Sequence, residues 1–306
     1  MLKHLNNQET QPKRVVILGA KGFVGSATVQ RLTKEEIDVV AIGREDIDLG
    51  ENNSAQQLAK ILQPNDALVV ISAKAPCKNH DMLLQNIQMM KSVCDALIRQ
   101  PVQHVIYISS DAVYTDSMDK LNESSPAAPT SLHGTMHLAR EQMLRSVVAE
   151  NALAILRPSL LYGANDPHNG YGPNSFYRLA QSDKPIELFG QGEEQRDHVF
   201  IDDVAELLYL SLLHRSYGIL NITTCEVVSF YDIATQLTQL LDKPIEIKFR
   251  PRNMPMPHNG YRAFDNTVCQ QAFAAFQFTT LPEGLKKMHQ AGFATKVGIV
   301  QKNHKG

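Results

Sequence analysis

The stretch Gly19-Ala20-Lys21-Gly22-Phe23-Val24-Gly25 follows an apolar, β-branched run at residues 15–18 and opens a helical pattern at residues 26–33. A strand that turns on glycines into a helix points free backbone N–H groups and a positive dipole end at one place. Gly19 permits the tight turn, Gly22 lets a ligand approach the main chain, and Gly25 lets the helix pack closely on the strand. A dinucleotide pyrophosphate suits this geometry, so the stretch predicts a dinucleotide-binding turn.

Further apolar runs at residues 38–44, 66–73 and 105–110 predict buried strands, and we expect another strand to end near Asp48-Leu49. Helical patterns at residues 86–99 and 131–150 separate them. Strands that alternate with helices of this length indicate an α/β protein with a doubly wound parallel sheet of the Rossmann type. Ligands of such sheets bind at the carboxyl ends of the strands. The same rim should therefore carry the glycine turn, Arg44, Ala73 and Ser110.

The identity of the cofactor depends on the end of the second strand. An acidic residue there binds the ribose 2′-OH in NAD-selective folds, but this chain has Gly43 and then Arg44. Arg44 and Lys21 can pair with a 2′-phosphate. Both are also ordinary for solvated loop cations. The sequence therefore predicts NADP(H) or NAD(H), with NADP(H) favoured.

Composition restricts the class of protein. The chain has 306 residues, a formal net charge of −2, 43% hydrophobic and 20% charged residues. This balance predicts no attraction to nucleic acid or membrane surfaces, and no apolar run approaches the roughly 20 residues that span a bilayer. Residues 1–12 lack the apolar core of a signal peptide, and the four cysteines show no C-x-x-C spacing. We expect a cytoplasmic protein with flexible tails at residues 1–12 and 301–306.

The sequence resembles the extended short-chain dehydrogenase/reductase family, which comprises nucleotide-sugar epimerases, dehydratases and reductases. The resemblance covers residues 15 to about 285. Besides the glycine turn, it is carried by four further segments: Ile108-Ser109-Ser110-Asp111-Ala112-Val113-Tyr114, Leu156-Arg157-Pro158 with Tyr162-Gly163, Gly190-Gln191-Gly192 with Arg196-Asp197-His198-Val199, and Asp202-Asp203-Val204-Ala205.

The resemblance implies a catalytic serine at Ser110 and a Tyr-x-x-x-Lys pair on the following helix. This chain has His133 where the tyrosine belongs and His137 where the lysine belongs. A phenol needs help to ionise at neutral pH, whereas an imidazole transfers protons there unaided. His133 is therefore the predicted proton-transfer group, and His137 is predicted to bind the nicotinamide ribose.

Three alternatives remain open for this pair. In the first, the protein binds the cofactor without catalysis, as a sensor or scaffold. In the second, Asp111 or Tyr171 supplies the proton instead. The third is that His133, His137 and Glu141 hold a metal ion, although no metal is predicted. Asp111 beside Ser110 is also typical of dehydratases and keto-reductases, but Ala112 lacks the glutamate of the dehydratases, so a reductase or an epimerase is favoured.

The full predicted cofactor site consists of the glycine turn, residues of four further segments and one helical histidine: Gly19, Ala20, Lys21, Gly22, Phe23, Val24, Gly25, Arg44, Asp48, Leu49, Ser72, Ala73, Lys74, His137 and Pro158. Residues 13–163, completed by 199–224, form the predicted cofactor domain. Residues 164–198 and 225–300 form a smaller substrate-binding lobe.

The resemblance implies that this lobe closes over a nucleoside diphosphate sugar. Predicted substrate contacts are Ser110, Asn174, Arg196 and Arg252, and the two guanidiniums would clamp the diphosphate. The family also pairs through the helices at residues 86–99 and 131–150, so we expect a homodimer. The apolar positions Ile87, Met90, Val93 and Leu97 fit a packing face, which serves either the partner subunit or the chain's own sheet.

Overall fold

The computed structural model describes residues 1–241 and 244–292. Its centre is a six-stranded sheet in which every neighbouring pair is parallel, in the order β2-β1-β3-β4-β5-β9. The strands of the described chain are β1 (Arg14–Leu18), β2 (Asp38–Ile42), β3 (Ala67–Val70), β4 (His104–Ile108), β5 (Leu153–Pro158), β6 (Leu160–Tyr162), β7 (Ile186–Phe189), β8 (Gln195–Phe200), β9 (Gly218–Ile222), β10 (Val227–Ser229), β11 (Ile247–Arg250) and β12 (Tyr261–Arg262).

Helices cover both faces of this sheet, as its continuous apolar strands require. The helices are α1 (Phe23–Lys34), α2 (Ser54–Ile61), α3 (His80–Arg99), α4 (Leu132–Arg145), α5 (Pro173–Gln181), α6 (Ile201–Leu213), α7 (Phe230–Leu241), α8 (Thr267–Ala272) and α9 (Leu281–Ala291). Successive residues of a strand face opposite sides. Val15 and Ile17 accordingly pack in the core beneath α6, whereas Val16 and Leu18 pack in the core beneath α2, α3 and α4. The predicted Rossmann-type α/β architecture is confirmed.

The smaller lobe has its own sheets and core. Strand β8 pairs with β10, β12 and β6, while β7 pairs with β11. Helices α5, α7 and α9 pack around Phe176, Phe230 and Leu285. Since β8 leads directly into α6 of the main domain, the chain crosses between the two parts several times.

Local differences from the predicted elements have physical reasons. No strand ends at Asp48-Leu49, because residues 44–50 form turns in which the Asp48 carboxylate accepts the N–H of Gly50. Helix α4 starts after Ser131, whose hydroxyl accepts the N–H of Gly134 at 3.1 Å, and it ends at Arg145 rather than at residue 150. The short helices α2 and α8 were not predicted.

Residues 1–12 are attached to the main domain, contrary to the expected flexible tail. The main chain of Lys3 pairs with Tyr217, and the His4 imidazole bonds to Ser216 and to the carbonyl of Ala272. The predicted tail at residues 301–306 and the end of the predicted lobe at residues 293–300 lie outside the described residues. Within the described ranges, none of the helices combines the length and apolarity that crossing a membrane requires.

Candidate active site

A cavity of about 1200 Å³ lies at the carboxyl ends of the central strands and extends beneath the smaller lobe. Most of the predicted site residues line it: Gly19, Lys21, Gly22, Phe23, Val24, Arg44, Asp48, Leu49, Ser72, Ala73, Lys74, Ser110, Asp111, His133, His137, Pro158, Asn174 and Arg196. Three predicted residues are absent from its wall, namely Ala20, Gly25 and Arg252. The structure thus brings the predicted cofactor end and the predicted reaction centre into one space.

The glycine turn has the geometry that its sequence predicts. Gly19 has a φ of +87°, which favours glycine, and a Cβ on Gly25 would lie 2.1 Å from the carbonyl oxygen of Gly19. Gly25 therefore contributes close packing behind the cavity rather than a ligand contact. Gly22 precedes α1 without a side-chain cap, and the first turn of α1 has no acidic residue. The N-terminus of α1 is consequently free to bind an anion.

Each of the two basic residues at the cofactor end has an acidic partner. Lys21 pairs with Glu45, and Arg44 Nε donates to Asp48 Oδ2 at 2.9 Å. Both cations are largely exposed. Glu45, which the sequence analysis did not single out, also lines the cavity, and its carboxylate lies over the Cα of Gly43. Acidic and basic side chains therefore lie together at the end of β2, where the sequence predicts the ribose 2′-OH of NAD(H) or the 2′-phosphate of NADP(H).

Ser110 and Asp111 lie just after the end of β4. Ser110 Oγ lies 3.3 Å from Asp111 Oδ1 and accepts the N–H of Ala112 at 3.1 Å. The other carboxylate oxygen of Asp111 accepts from Nε of Arg262 at 2.7 Å. Arg262 therefore holds one carboxylate oxygen of Asp111, while the other lies beside Ser110.

The two histidines of α4 reach the cavity one helical turn apart. The Cys77 N–H lies 3.4 Å from Nδ1 of His133, and Tyr107 Oη lies 2.8 Å from Nδ1 of His137. Burial lowers the pKa of His133, while the negative charge of Asp111 opposes this shift. The pKa of His137 lies well below its usual value because of burial. Both shifts favour the uncharged form of the ring.

The predicted arginine clamp takes a different form. Glu194, buried between the two segments, binds Nη2 of Arg196 at 2.5 Å and Nη2 of Arg252 at 2.9 Å. Only Arg196 lines the cavity. Arg250 pairs with Glu187 on the surface. Arg252 therefore contacts Glu194 and not the cavity, contrary to the predicted direct contact, and of the two clamp residues Arg196 is the one that lines the cavity.

A polar cluster around the buried Arg262, which the sequence did not predict, joins the two lobes. Arg262 bonds to Asp111 and, at 3.1 Å, to Asp116, and His258 also pairs with Asp116. Arg262, Asp116 and His258 all line the cavity. No local pattern marks Arg262, because its partners lie about 150 residues earlier in the chain.

The loop at residues 164–172 forms another wall. The buried Asp166 accepts from the Asn174 amide at 2.8 Å and from the His168 N–H at 3.0 Å, while the Asn174 amide oxygen accepts the N–H of Gly163. Both polar ends of Asn174 thus hold the loop. Tyr171 lines the cavity and its hydroxyl accepts the N–H of Phe189; burial raises its pKa.

Glu141, the third ligand in the alternative that His133, His137 and Glu141 hold a metal ion, has other partners in the structure. Glu141 is fully buried, pairs with Arg157 at 2.5 Å and accepts from the Ser109 hydroxyl at 2.6 Å. Within residues 1–241 and 244–292, no group of three or more His, Cys, Asp or Glu side chains is arranged to hold a metal ion.

The parallel sheet, the glycine turn and the cavity at the strand ends are the features of a Rossmann-type α/β protein of the extended short-chain dehydrogenase/reductase type. Residues 15–223 match the model of the NAD dependent epimerase/dehydratase family. The chain belongs to this family.

Relatives of known name and structure agree with this membership. The chain is 22% identical to the "Uncharacterized UDP-glucose epimerase YtcB" of Bacillus subtilis (strain 168), over 89% of this chain and 95% of that protein. A UDP-glucose 4-epimerase of Thermus thermophilus, solved with NAD, is similar with a TM-score of 0.79 and 22% identity over 93% of this chain and 100% of that one. A GDP-L-fucose synthetase from Naegleria fowleri gives a TM-score of 0.81 and 18% identity, over 94% and 96% of the two chains. At these identities the structural matches show the shared fold.

Proposed function

We propose that this protein is an NAD(P)-dependent epimerase or reductase that acts on a nucleotide-activated sugar by hydride transfer at a sugar carbon. The observation that carries the proposal is the single cavity, which runs from the glycine turn past Ser110, His133 and His137 to Arg196. A dinucleotide end, a proton-transfer centre and a cation for a diphosphate are the three parts that such a reaction needs.

The residues present fit the cofactor. The uncapped N-terminus of α1 and the glycine turn suit a pyrophosphate, and the cavity continues along Ser72, Ala73 and Lys74 toward the histidines. When bound, a nicotinamide cofactor supplies the hydride acceptor or donor. NADP(H) is the preferred form in this proposal, because Arg44 is exposed and its partner Asp48 sits on a turn at the surface. The pairing of Lys21 with Glu45 weakens that preference.

His133 carries the proton in this proposal. Neutral imidazole accepts the hydroxyl proton of the sugar when hydride leaves the same carbon, and imidazolium returns it in the reverse direction. The lowered pKa of His133 keeps the ring in its accepting form at neutral pH. Ser110 also lines the cavity, and in this proposal its hydroxyl binds the reacting oxygen.

Arg196 is the proposed partner of the nucleoside diphosphate. It is buried and faces the cavity, and a charge-assisted hydrogen bond from a guanidinium suits a phosphate oxygen. Arg252 supports it through the shared Glu194. The relative from Bacillus subtilis is named for UDP-glucose, which makes UDP-sugars the first substrates to test.

Two measurements test this function. An untagged preparation is denatured, and its released small molecules are identified by mass spectrometry; we expect NADP(H) or NAD(H). The protein is then incubated with UDP- and GDP-sugars and each cofactor, and the sugar products are separated and identified. An epimerised, oxidised or reduced sugar is expected. Bound cofactor without any turnover would instead support the sensor or scaffold alternative, and the absence of cofactor binding would contradict both.

A further inference from the structure

Tyr107 and His137 form a buried contact behind the wall of the cavity. Tyr107 lies on β4 and is 1% exposed, and His137 lies on α4 and is 6% exposed. The Tyr107 hydroxyl is 2.8 Å from Nδ1 of His137. His137 lines the cavity, whereas Tyr107 does not. The tyrosine therefore touches the imidazole from the side opposite to a bound molecule.

The direction of this hydrogen bond follows from the number of available partners. Nδ1 of His137 is the one hydrogen-bond partner of the Tyr107 hydroxyl within the part of the chain that the structure describes. If Nδ1 carried the proton, the phenolic O–H would be a buried donor without an acceptor, which is costly. If the phenol donates, both groups are satisfied. The proton of the neutral ring must then be on Nε2, for which no hydrogen bond occurs among the described residues.

Arg140 favours the same arrangement. Its guanidinium is fully buried, donates to the carbonyl of Ser72 at 2.6 Å, and lies over the Tyr107 ring with 5.2 Å between its Cζ and the ring centroid. No carboxylate pairs with it in the described chain. The groups that act electrostatically on His137 are Arg140 and His133, and both disfavour a charged imidazole there. A cation beside the phenol also strengthens the phenol as a donor.

We propose that Tyr107 is a positioning residue, which fixes the proton of His137 on Nε2 so that the ring presents an N–H donor to an oxygen acceptor in the cavity. The inference rests on the proposed function, in which this acceptor is a hydroxyl of the nicotinamide ribose. The lysine that the resemblance implies at this position would donate hydrogen bonds from a charged ammonium group. The imidazole held by Tyr107 offers one directed donor from an uncharged group.

The experiment combines histidine spectroscopy with cofactor binding. Protein labelled with ¹⁵N-histidine is studied without ligand, and the His137 ring signals are assigned from their loss in His137→Gln. Tyr107→Phe removes the hydroxyl. Tyr114→Phe is the matched control, because Tyr114 is also buried, donates one hydrogen bond to Asn221 at 2.7 Å, and has a guanidinium, that of Arg157, over its ring.

The wild-type protein and Tyr114→Phe should show His137 protonated at Nε2 alone, and Tyr107→Phe should show a mixture of the two neutral forms. The dissociation constant of the cofactor should rise about three- to tenfold in Tyr107→Phe and stay unchanged in Tyr114→Phe. A wild-type ring that is protonated at Nδ1, or an unchanged ring and unchanged affinity in a folded Tyr107→Phe, would overturn the inference. If no form of the protein binds NAD(P), the proposed function fails, while the ring signals still decide whether Tyr107 fixes the proton.

Discussion

The imidazole rings of His133 and His137 lie edge to face, with centroids 4.7 Å apart and an angle of 86° between the ring planes. Their surroundings differ although they share one face of α4. His133 is half-buried and close to the charge of Asp111, whereas His137 is almost fully buried and held by Tyr107. This difference favours proton transfer by His133 and binding of the ribose by His137.

The first prediction concerns the glycine turn. Gly25→Ala should weaken cofactor binding by about one to two powers of ten, because the new Cβ would overlap the carbonyl oxygen of Gly19 and shift the turn, at a cost of about 1–3 kcal/mol. Calorimetric titration of NAD(P) measures the change. Gln30→Ala is the control, since Gln30 is an exposed residue of the same helix that does not line the cavity. Unchanged affinity in Gly25→Ala would refute the assignment of the turn.

Arg44 tests the choice between the two cofactors. Arg44→Ala should weaken the binding of NADP(H) by about 1–3 kcal/mol, the value of a hydrogen bond to a charged group, and should leave NAD(H) nearly unaffected. Glu45→Gln should have the opposite effect and improve NADP(H), because it frees Lys21 from its acidic partner. Calorimetry with each cofactor measures the affinities of the wild-type protein and of both variants. An equal loss for both cofactors in Arg44→Ala would count against a contact with the 2′-phosphate.

The pH dependence of the oxidation step should report His133. The neutral ring accepts the proton, and burial places its pKa below the usual histidine value. The kcat/KM should therefore be constant at neutral pH and should fall as the pH drops through that pKa. Asp111 raises this pKa, so Asp111→Asn should move the fall to lower pH. The exposed Asp119→Asn is the control. A shift of the profile to higher pH in Asp111→Asn would show that another group titrates.

The homodimer remains a proposal, with different contact residues. Met90, Val93 and Leu97 pack in the chain's own core, so they do not form the partner face. Leu84 and Ile98, 66% and 64% exposed, are apolar side chains that α3 presents outward. Leu84→Glu should convert a dimer to a monomer, as measured by light scattering at micromolar concentration.

The exposed Met254→Glu, in the smaller lobe, serves as the control for the loss of a surface apolar side chain. A wild-type protein that is already monomeric would contradict the dimer. A dimer that survives Leu84→Glu would place the interface elsewhere.

Much of the fold and of the cofactor end could be predicted because their signals are local. The glycine turn, the buried strands and the histidine spacing lie within short stretches whose geometry depends on neighbouring residues. The strand end expected at Asp48-Leu49 depended only on the distance from the preceding strand, and residues 44–50 form turns instead.

The substrate end depends on contacts between distant segments. Whether Arg252 reaches the cavity is decided by Glu194, which binds it from a distant part of the chain. Arg262 belongs to the site because β12 packs beside Asp111, and Tyr107 belongs to it because β4 packs against α4. Both contacts join segments that are distant in the sequence. Residue type alone does not distinguish these side chains from ordinary buried ones.

Turnover of His133→Ala with an identified nucleotide sugar tests the central claim most directly. We expect a loss of about 10²–10⁴ in kcat, the usual share of general acid–base catalysis, with the dissociation constant of NAD(P) nearly unchanged. His80→Ala, which removes an exposed histidine at the start of α3, should retain wild-type turnover. Near-wild-type turnover of a folded His133→Ala would contradict the account and move the proton chemistry to Asp111 or Tyr171.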